Sequence, residues 1–238
     1  MKTTPAGSHL TQLTRFGLIN VYLVREADGF TLIDTGMGGS APAILAAART
    51  LGAPIRRVML THAHGDHVGS VDALHTALPD AELLISARDA RFLAGDKSLD
   101  PGEPQVPLRG GYQQIQTPVT RTLSEGDMVG SLRVVSAPGH TPGHIALFDV
   151  RDRSLIAGDA FQTAGGVAVA GVVRPLFPLP ALATWHLPTA VESAHRLLDL
   201  NPSRLAIGHG RVLTAPQTAM RQAIEVAERQ VARSSAAV

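Results

Sequence analysis

Residues 61–69 read Thr-His-Ala-His-Gly-Asp-His-Val-Gly, which places three imidazoles and a carboxylate within the six positions from His62 to His67. The whole chain has only ten histidines. Imidazoles gain nothing by packing on one another, because both nitrogens of every buried ring need a partner. A cation shared by His62, His64, Asp66 and His67 resolves the crowding. Three later segments end in groups of the same chemistry: His140 after SLRVVSA, Asp159 in LIAGDA and His209 in LAIGHG. Glycine or a turn residue adjoins each, so the backbone can approach a common centre. Five histidines and two aspartates exceed the roughly four ligands of one tetrahedral ion. They suit two ions with one carboxylate shared. The chain has no cysteine, which excludes disulfides and thiolate sites and leaves nitrogen and oxygen donors alone.

Presenting such groups from strand ends requires a rigid scaffold. Residues 19–34 read as a hairpin, INVYLVR and FTLIDT around a Glu26–Gly29 turn. Ser40 is placed as an N-cap, with Ile44, Ala47, Ala48 and Leu51 on one helical face and Gly52 as the stop. RRVMLT is a strand that runs straight into the histidine cluster. Val68, Val71, Leu74 and Leu78 then recur at helical spacing up to Pro79. AELLIS is a further strand, followed by a short helix near 87–93. Residues 95–118 read as a long loop, of the kind that often carries function. VTRTL, SLRVVSA, HIALFDV and SLIAGDA are strand candidates, and 162–188 is a second irregular, apolar stretch. A helix over about 189–200, the strand RLAIG and a last helix over about 215–235 complete the chain, the last with Met220, Ala223, Ile224, Ala227 and Val231 as its buried stripe. This order predicts an α+β protein, a four-layer αββα sandwich with two sheets back to back and helices outside.

Composition narrows the class. The 238 residues are 45% hydrophobic and 17% charged, which fits a globular core in a single domain over 1–238. With 21 basic against 20 acidic residues the formal charge is +1, and no basic run suggests nucleic acid or an anionic membrane as partner. The N-terminal residues lack the apolar run of a secretory signal, and no stretch is long enough to span a bilayer, so the expected location is the cytoplasm. A small-molecule substrate is the expected partner. A homodimer is compatible with everything read so far.

The motifs His-x-His-x-Asp-His at 62–67, Leu-Ile-Asp-Thr-Gly at 32–36, Pro-Gly-His-Thr-Pro-Gly-His at 138–144, Gly-Asp at 158–159 and Gly-His-Gly at 208–210 occur together and in this order. In that combination the chain resembles the metallo-β-lactamase superfamily over nearly its whole length. The resemblance implies the αββα fold. It assigns His62, His64 and His140 to a first metal, and Asp66, His67 and His209 to a second, with Asp159 bridging. Zinc is the first choice for both ions, with manganese or iron the alternatives. Two close cations lower the pKa of a bound water toward about 7, so a metal-bridging hydroxide can attack a polarised carbonyl. Asp66 is the expected catalytic residue, orienting that nucleophile or passing its proton on. Asp34, at a strand end, is expected to hydrogen-bond a ligand imidazole.

Blander readings win elsewhere. His9, His75 and His195 are surface or helix residues. Gly36-Met37-Gly38-Gly39 lacks the Lys-Ser/Thr of a phosphate loop and is a plain turn. His144 is as readily a structural hydrogen bond as a site residue, and Trp185-His186 is a minor candidate for lining a pocket. Lactonases of the superfamily resemble this chain in size and ligand set, but carry a tyrosine where Gln162 stands. The expected activity is binuclear hydrolysis of an ester-like carbonyl, a lactone ahead of other esters. Val167, Val169, Val172, Val173, Leu176 and Phe177 are candidates to wall its pocket. The alternatives are a thioester hydrolase resembling glyoxalase II, an oxidoreductase resembling the mononuclear-iron persulfide dioxygenases, and a non-catalytic metal-binding sensor.

Overall fold

The computed structural model describes residues 1–236. It divides into two compact units, one of residues 1–96 and 111–123, the other of 97–110 and 124–238.

The first unit is built on a seven-stranded sheet in sequence order: β1 (Lys2–Pro5), β2 (Leu10–Arg15), β3 (Ile19–Glu26), β4 (Gly29–Ile33), β5 (Ile55–Met59), β6 (Glu82–Ser86) and β7 (Arg121–Leu123). β1 to β4 pair antiparallel, and β4 to β7 pair parallel. The change of direction follows from the connections. Short turns join the first four strands, whereas helices cross between the parallel ones: α1 (Ala41–Thr50), α2 (Gly65–Val68) and α3 (Val71–Ala77), then α4 (Ala87–Leu93). β4 is buried along its whole length, as parallel strands covered on both faces are.

The pattern Val68–Leu78 does not form one helix. The chain breaks into α2 and α3 at Gly69-Ser70, because the Met37–Gly38 backbone crosses there. A Cβ on Gly69 would lie 2.6 Å from Gly38 N and 2.5 Å from Gly65 O. The Ser70 hydroxyl donates to Met37 O at 2.7 Å. Ser40 precedes α1 as expected but makes no side-chain cap; its hydroxyl turns back to Met37 O instead.

The second unit holds a six-stranded sheet in the order β15-β14-β11-β10-β9-β8, from β8 (Met128–Val129), β9 (Leu132–Ser136), β10 (Ile145–Asp149), β11 (Ser154–Ile156), β14 (Arg204–Ala206) and β15 (Leu213–Thr214). A two-stranded ribbon, β12 (Phe161–Gln162) and β13 (Ala168–Val169), and the helices α5 (Leu179–Leu182), α6 (Leu187–Asp199) and α7 (Gln217–Ser235) complete it. Its core joins Phe148, Leu155, Phe161 and Val169 to Ala194 and Leu197 of α6 and to Met220, Ala223, Ile224 and Ala227 of α7. Val231, expected in that stripe, packs partly buried against its edge.

The stretch 162–188 is less irregular than its composition suggests, since it contains the ribbon and α5. Val169 and Val172 lie inside this core and Val167 packs against it, so these three do not wall a pocket. Val173 and Leu176 are exposed. Among the described residues no helix is long and apolar enough to cross a membrane.

Candidate metal centre

Each unit carries part of the expected ligand set, delivered from strand ends. His62 stands three residues past Met59, the last residue of β5. Asp159 stands three past Ile156 at the end of β11, and His209 three past Ala206 at the end of β14. β11 and β14 are parallel neighbours, so Asp159 and His209 emerge at the same end of the sheet.

In the first unit His62, His64 and His67 are buried. The His62 ring lies 4.8 Å from that of His64 and 4.1 Å from that of His67, centroid to centroid. Asp66 is more open, with 36% of its side chain exposed, and its Oδ2 is 3.8 Å from His67 Nε2. The loop is pinned on several sides. Ala63 N–H donates to Asp89 Oδ2 at 3.0 Å, and Gly65 N–H to Gly111 O at 2.9 Å. His64 forms a bridge with Tyr112 and packs edge-to-face against its ring, with centroids 4.7 Å apart.

Asp34 fulfils its expected role and exceeds it. It follows β4 with φ +59°, a conformation that Asp tolerates better than most residues. Its carboxylate accepts His67 Nδ1–H at 2.8 Å, Thr61 N–H at 2.8 Å and the Thr61 hydroxyl at 2.8 Å. Thr61 Oγ1 also lies 3.0 Å from His62 Nδ1. One buried carboxylate thus orients His67 directly and His62 through Thr61.

In the second unit His140 sits in the tight connection between β9 and β10. Gly139 before it has φ +134°, and a Cβ there would fall 2.4 Å from the backbone of Ala190 in α6. His140 O accepts Trp185 N–H at 3.0 Å, and His140 Nδ1 is 3.0 Å from Thr184 Oγ1. His144 Nε2 accepts Asp159 N–H at 3.1 Å, so this histidine holds the backbone of a site residue. Asp159 Oδ2 lies 3.5 Å from His140 Nε2 and 3.1 Å from His209 Nε2. The Phe177 ring packs at a tilt against His209, with centroids 5.3 Å apart. All three groups are buried.

Trp185 and His186 adjoin His140 through backbone hydrogen bonds to His140 O and Gly139 O, but their side chains have other partners. The Trp185 indole N–H donates to Val106 O at 3.2 Å, and His186 caps α6. Both line a surface cleft of about 290 Å³ with Arg109, Thr184 and Gln230. Burial pulls the His186 pKa below its ordinary value, against the opposing pull of Glu192. Gln162, at the position where lactonases carry tyrosine, is buried, and its amide donates to Ala164 O and Phe177 O at 3.1 Å. It is spent on holding the loop.

The donor set fits divalent first-row cations, with imidazole nitrogen and carboxylate oxygen, no thiol, and most groups withdrawn from water. Sequence alone does not mark Thr61, Thr184 and Asp89 as neighbours of the candidate ligands. Their types carry no signal, and only the fold brings them to the ligands.

The metallo-β-lactamase superfamily profile matches residues 14–209. The chain is 48% identical over 212 residues to the uncharacterized protein YobT of Bacillus subtilis (strain 168), covering 89% of this chain and 91% of that one. It is 32% identical over 220 residues to the probable metallo-hydrolase YflN of the same organism, covering 83% and 82%. A solved structure, TTHA1623 in a di-iron-bound form, is 30% identical with a TM-score of 0.63, covering 87% of this chain and 94% of that one. The chain belongs to the metallo-β-lactamase superfamily, and its fold is the α+β fold of that family.

Proposed function

We propose that this chain is a binuclear metal-dependent hydrolase of ester-like carbonyls, with lactones as its first substrate class. His62, His64 and His140 would hold one cation, Asp66, His67 and His209 the other, and Asp159 both. The observation that carries the reading is that each unit orders its own ligands beforehand. Asp34 and Thr61 hold His67 and His62 in the first, and Thr184 and His144 hold His140 and the Asp159 backbone in the second. The di-iron-bound form of TTHA1623 supports a count of two ions and keeps iron beside zinc and manganese as the metal.

Bound there, the cations would supply an acidified water and an electrophilic pull on a carbonyl oxygen near neutral pH. The remaining steps fall to the protein. Asp66 is the most open of the carboxylates, so it is suited to accept a proton from water and return it to the leaving group. Phe177 gives His209 an apolar neighbour. From Phe161 to Val191 the sequence holds Arg174 as its one Asp, Glu, Lys or Arg, and that guanidinium donates to Val167 O. Such a segment suits a neutral ester better than an anionic phosphodiester, which calls for cationic partners.

The test is a hydrolysis panel of lactones, aryl esters, thioesters, β-lactams and phosphodiesters on protein of known metal content. About two ions per chain and fastest turnover of a lactone are expected. Asp159→Ala should reduce bound metal and abolish turnover. One iron per chain, with oxygen consumed in the presence of a persulfide, would replace this reading with the dioxygenase.

A further inference from the structure

We infer that Thr61 and Thr184 are positioning residues that fix the tautomers of His62 and His140, leaving Nε2 of each ring as the lone-pair donor. The inference rests on the metal-centre reading above for its purpose, but not for its geometry.

A threonine hydroxyl has one proton to give. The Thr61 hydroxyl lies 2.8 Å from Asp34 Oδ2, a carboxylate oxygen that can only accept, so its proton goes there. At its contact with His62 Nδ1 the same oxygen must therefore accept, and Nδ1 must carry the hydrogen. The second unit repeats the logic with different parts. The Thr184 hydroxyl donates to Pro180 O at 2.7 Å, a carbonyl that can only accept. Its oxygen is then an acceptor for His140 Nδ1–H at 3.0 Å. In a neutral imidazole, a hydrogen on Nδ1 leaves Nε2 with its lone pair. His67 reaches the same state by the direct route, through Asp34.

The two relays differ at their far ends. Thr61 ends on a buried charge, which polarises its oxygen into a stronger acceptor. Thr184 ends on a neutral carbonyl at α5, so the His140 tautomer depends on the 178–184 turn keeping its shape. The weaker relay is the better one to test, because Thr184→Val is close to isosteric and leaves Asp34 untouched.

The experiment follows imidazole nitrogen shifts by ¹⁵N NMR in chelator-stripped full-length protein, then titrates Zn²⁺ against a chromophoric chelator. Wild type should show Nδ1–H at His62, His67 and His140. In Thr184→Val, His140 should become a tautomer mixture while His67 stays unchanged, and Zn²⁺ affinity should fall about 10-fold or more. Thr184→Ser, which keeps the hydroxyl, should restore both. Thr184→Val with an unaltered His140 tautomer and wild-type Zn²⁺ affinity would overturn the inference, as would a His140 Nδ1 without hydrogen in the wild type. If the tautomer shifts as expected but no form binds a divalent ion, the relay stands and the metal-centre reading fails.

Discussion

Asp34→Asn isolates the charge of the residue that anchors the histidine cluster. Asparagine keeps the shape and tolerates φ +59°, so backbone strain does not confound the result as it would with alanine. The carboxylate accepts three hydrogen bonds, two at Oδ2 and one at Oδ1. An amide has one oxygen, so whichever way it turns, one side of this arrangement faces an N–H₂ that cannot accept. With the nitrogen at the δ2 position, the Thr61 hydroxyl and His67 Nδ1–H both lose their acceptor, and His67 must move its hydrogen to Nε2. With the nitrogen at δ1, Thr61 N–H is left facing a donor. A hydrogen bond to a charged group is worth about 1.5–3 kcal/mol, and a buried donor left unsatisfied costs a similar amount. A loss of about 2–4 kcal/mol is therefore expected in the metal-free protein. At about 2–4 °C per kcal/mol for a chain of this size, that is a fall in Tm on the order of 4–16 °C. Metal affinity should fall about 10–100-fold. Differential scanning calorimetry of stripped protein and a Zn²⁺ competition titration measure the two separately. Wild-type values in both would show that Asp34 is a bystander and that the cluster is ordered some other way.

Two further predictions concern the scaffold. Burial alone would raise the Asp72 pKa, but the Thr117 hydroxyl, the Thr117 N–H and the Gln116 N–H outweigh it and hold the group below 3.8. Its stabilisation is therefore present above the unfolded value of about 3.9 and lost as pH falls through the lower folded value. Asp72→Asn should flatten that acid limb in urea titrations from pH 6 to pH 3, and an unchanged limb would remove Asp72 from the account. Gly139→Ala should cost about 2 kcal/mol or more, since its Cβ meets the Ala190 backbone at 2.4 Å and its φ of +134° suits glycine. Urea denaturation with an unchanged midpoint would mean that α6 can retreat without cost.

The candidate ligands were visible in the sequence because their chemistry is concentrated. His62 to His67 fall within six positions, and His140, Asp159 and His209 each follow a strand the apolar pattern marks. Asp34, likewise at a strand end, was visible too. Thr61, Thr184 and Asp89 were not, because a hydroxyl or carboxylate becomes informative only once the fold chooses its partner. Thr184 reaches His140 across 44 positions. β2 escaped because it buries both faces, Leu10 and Gln12 on one and Leu13 on the other, so no apolar alternation marks it. The break at Gly69 escaped because Val68, Val71 and Leu74 keep helical spacing across it, and the crossing Met37–Gly38 backbone leaves no trace in that pattern. Valines 169 and 172 were misplaced because burial in a core and burial around a substrate read alike in composition.

The short spacing between strand ends and chemistry bears on how such a chain can change. His62, Asp159 and His209 leave their strands after two intervening residues, whereas 97–110 runs for much longer without a helix or strand. Insertions, deletions and residue swaps there, short of the Gly111 and Tyr112 contacts, would leave the candidate ligands where the strands put them. Laboratory evolution toward new substrates should therefore accept length changes in that segment, and variants shortened or lengthened between a strand and its candidate ligand should be rare among survivors.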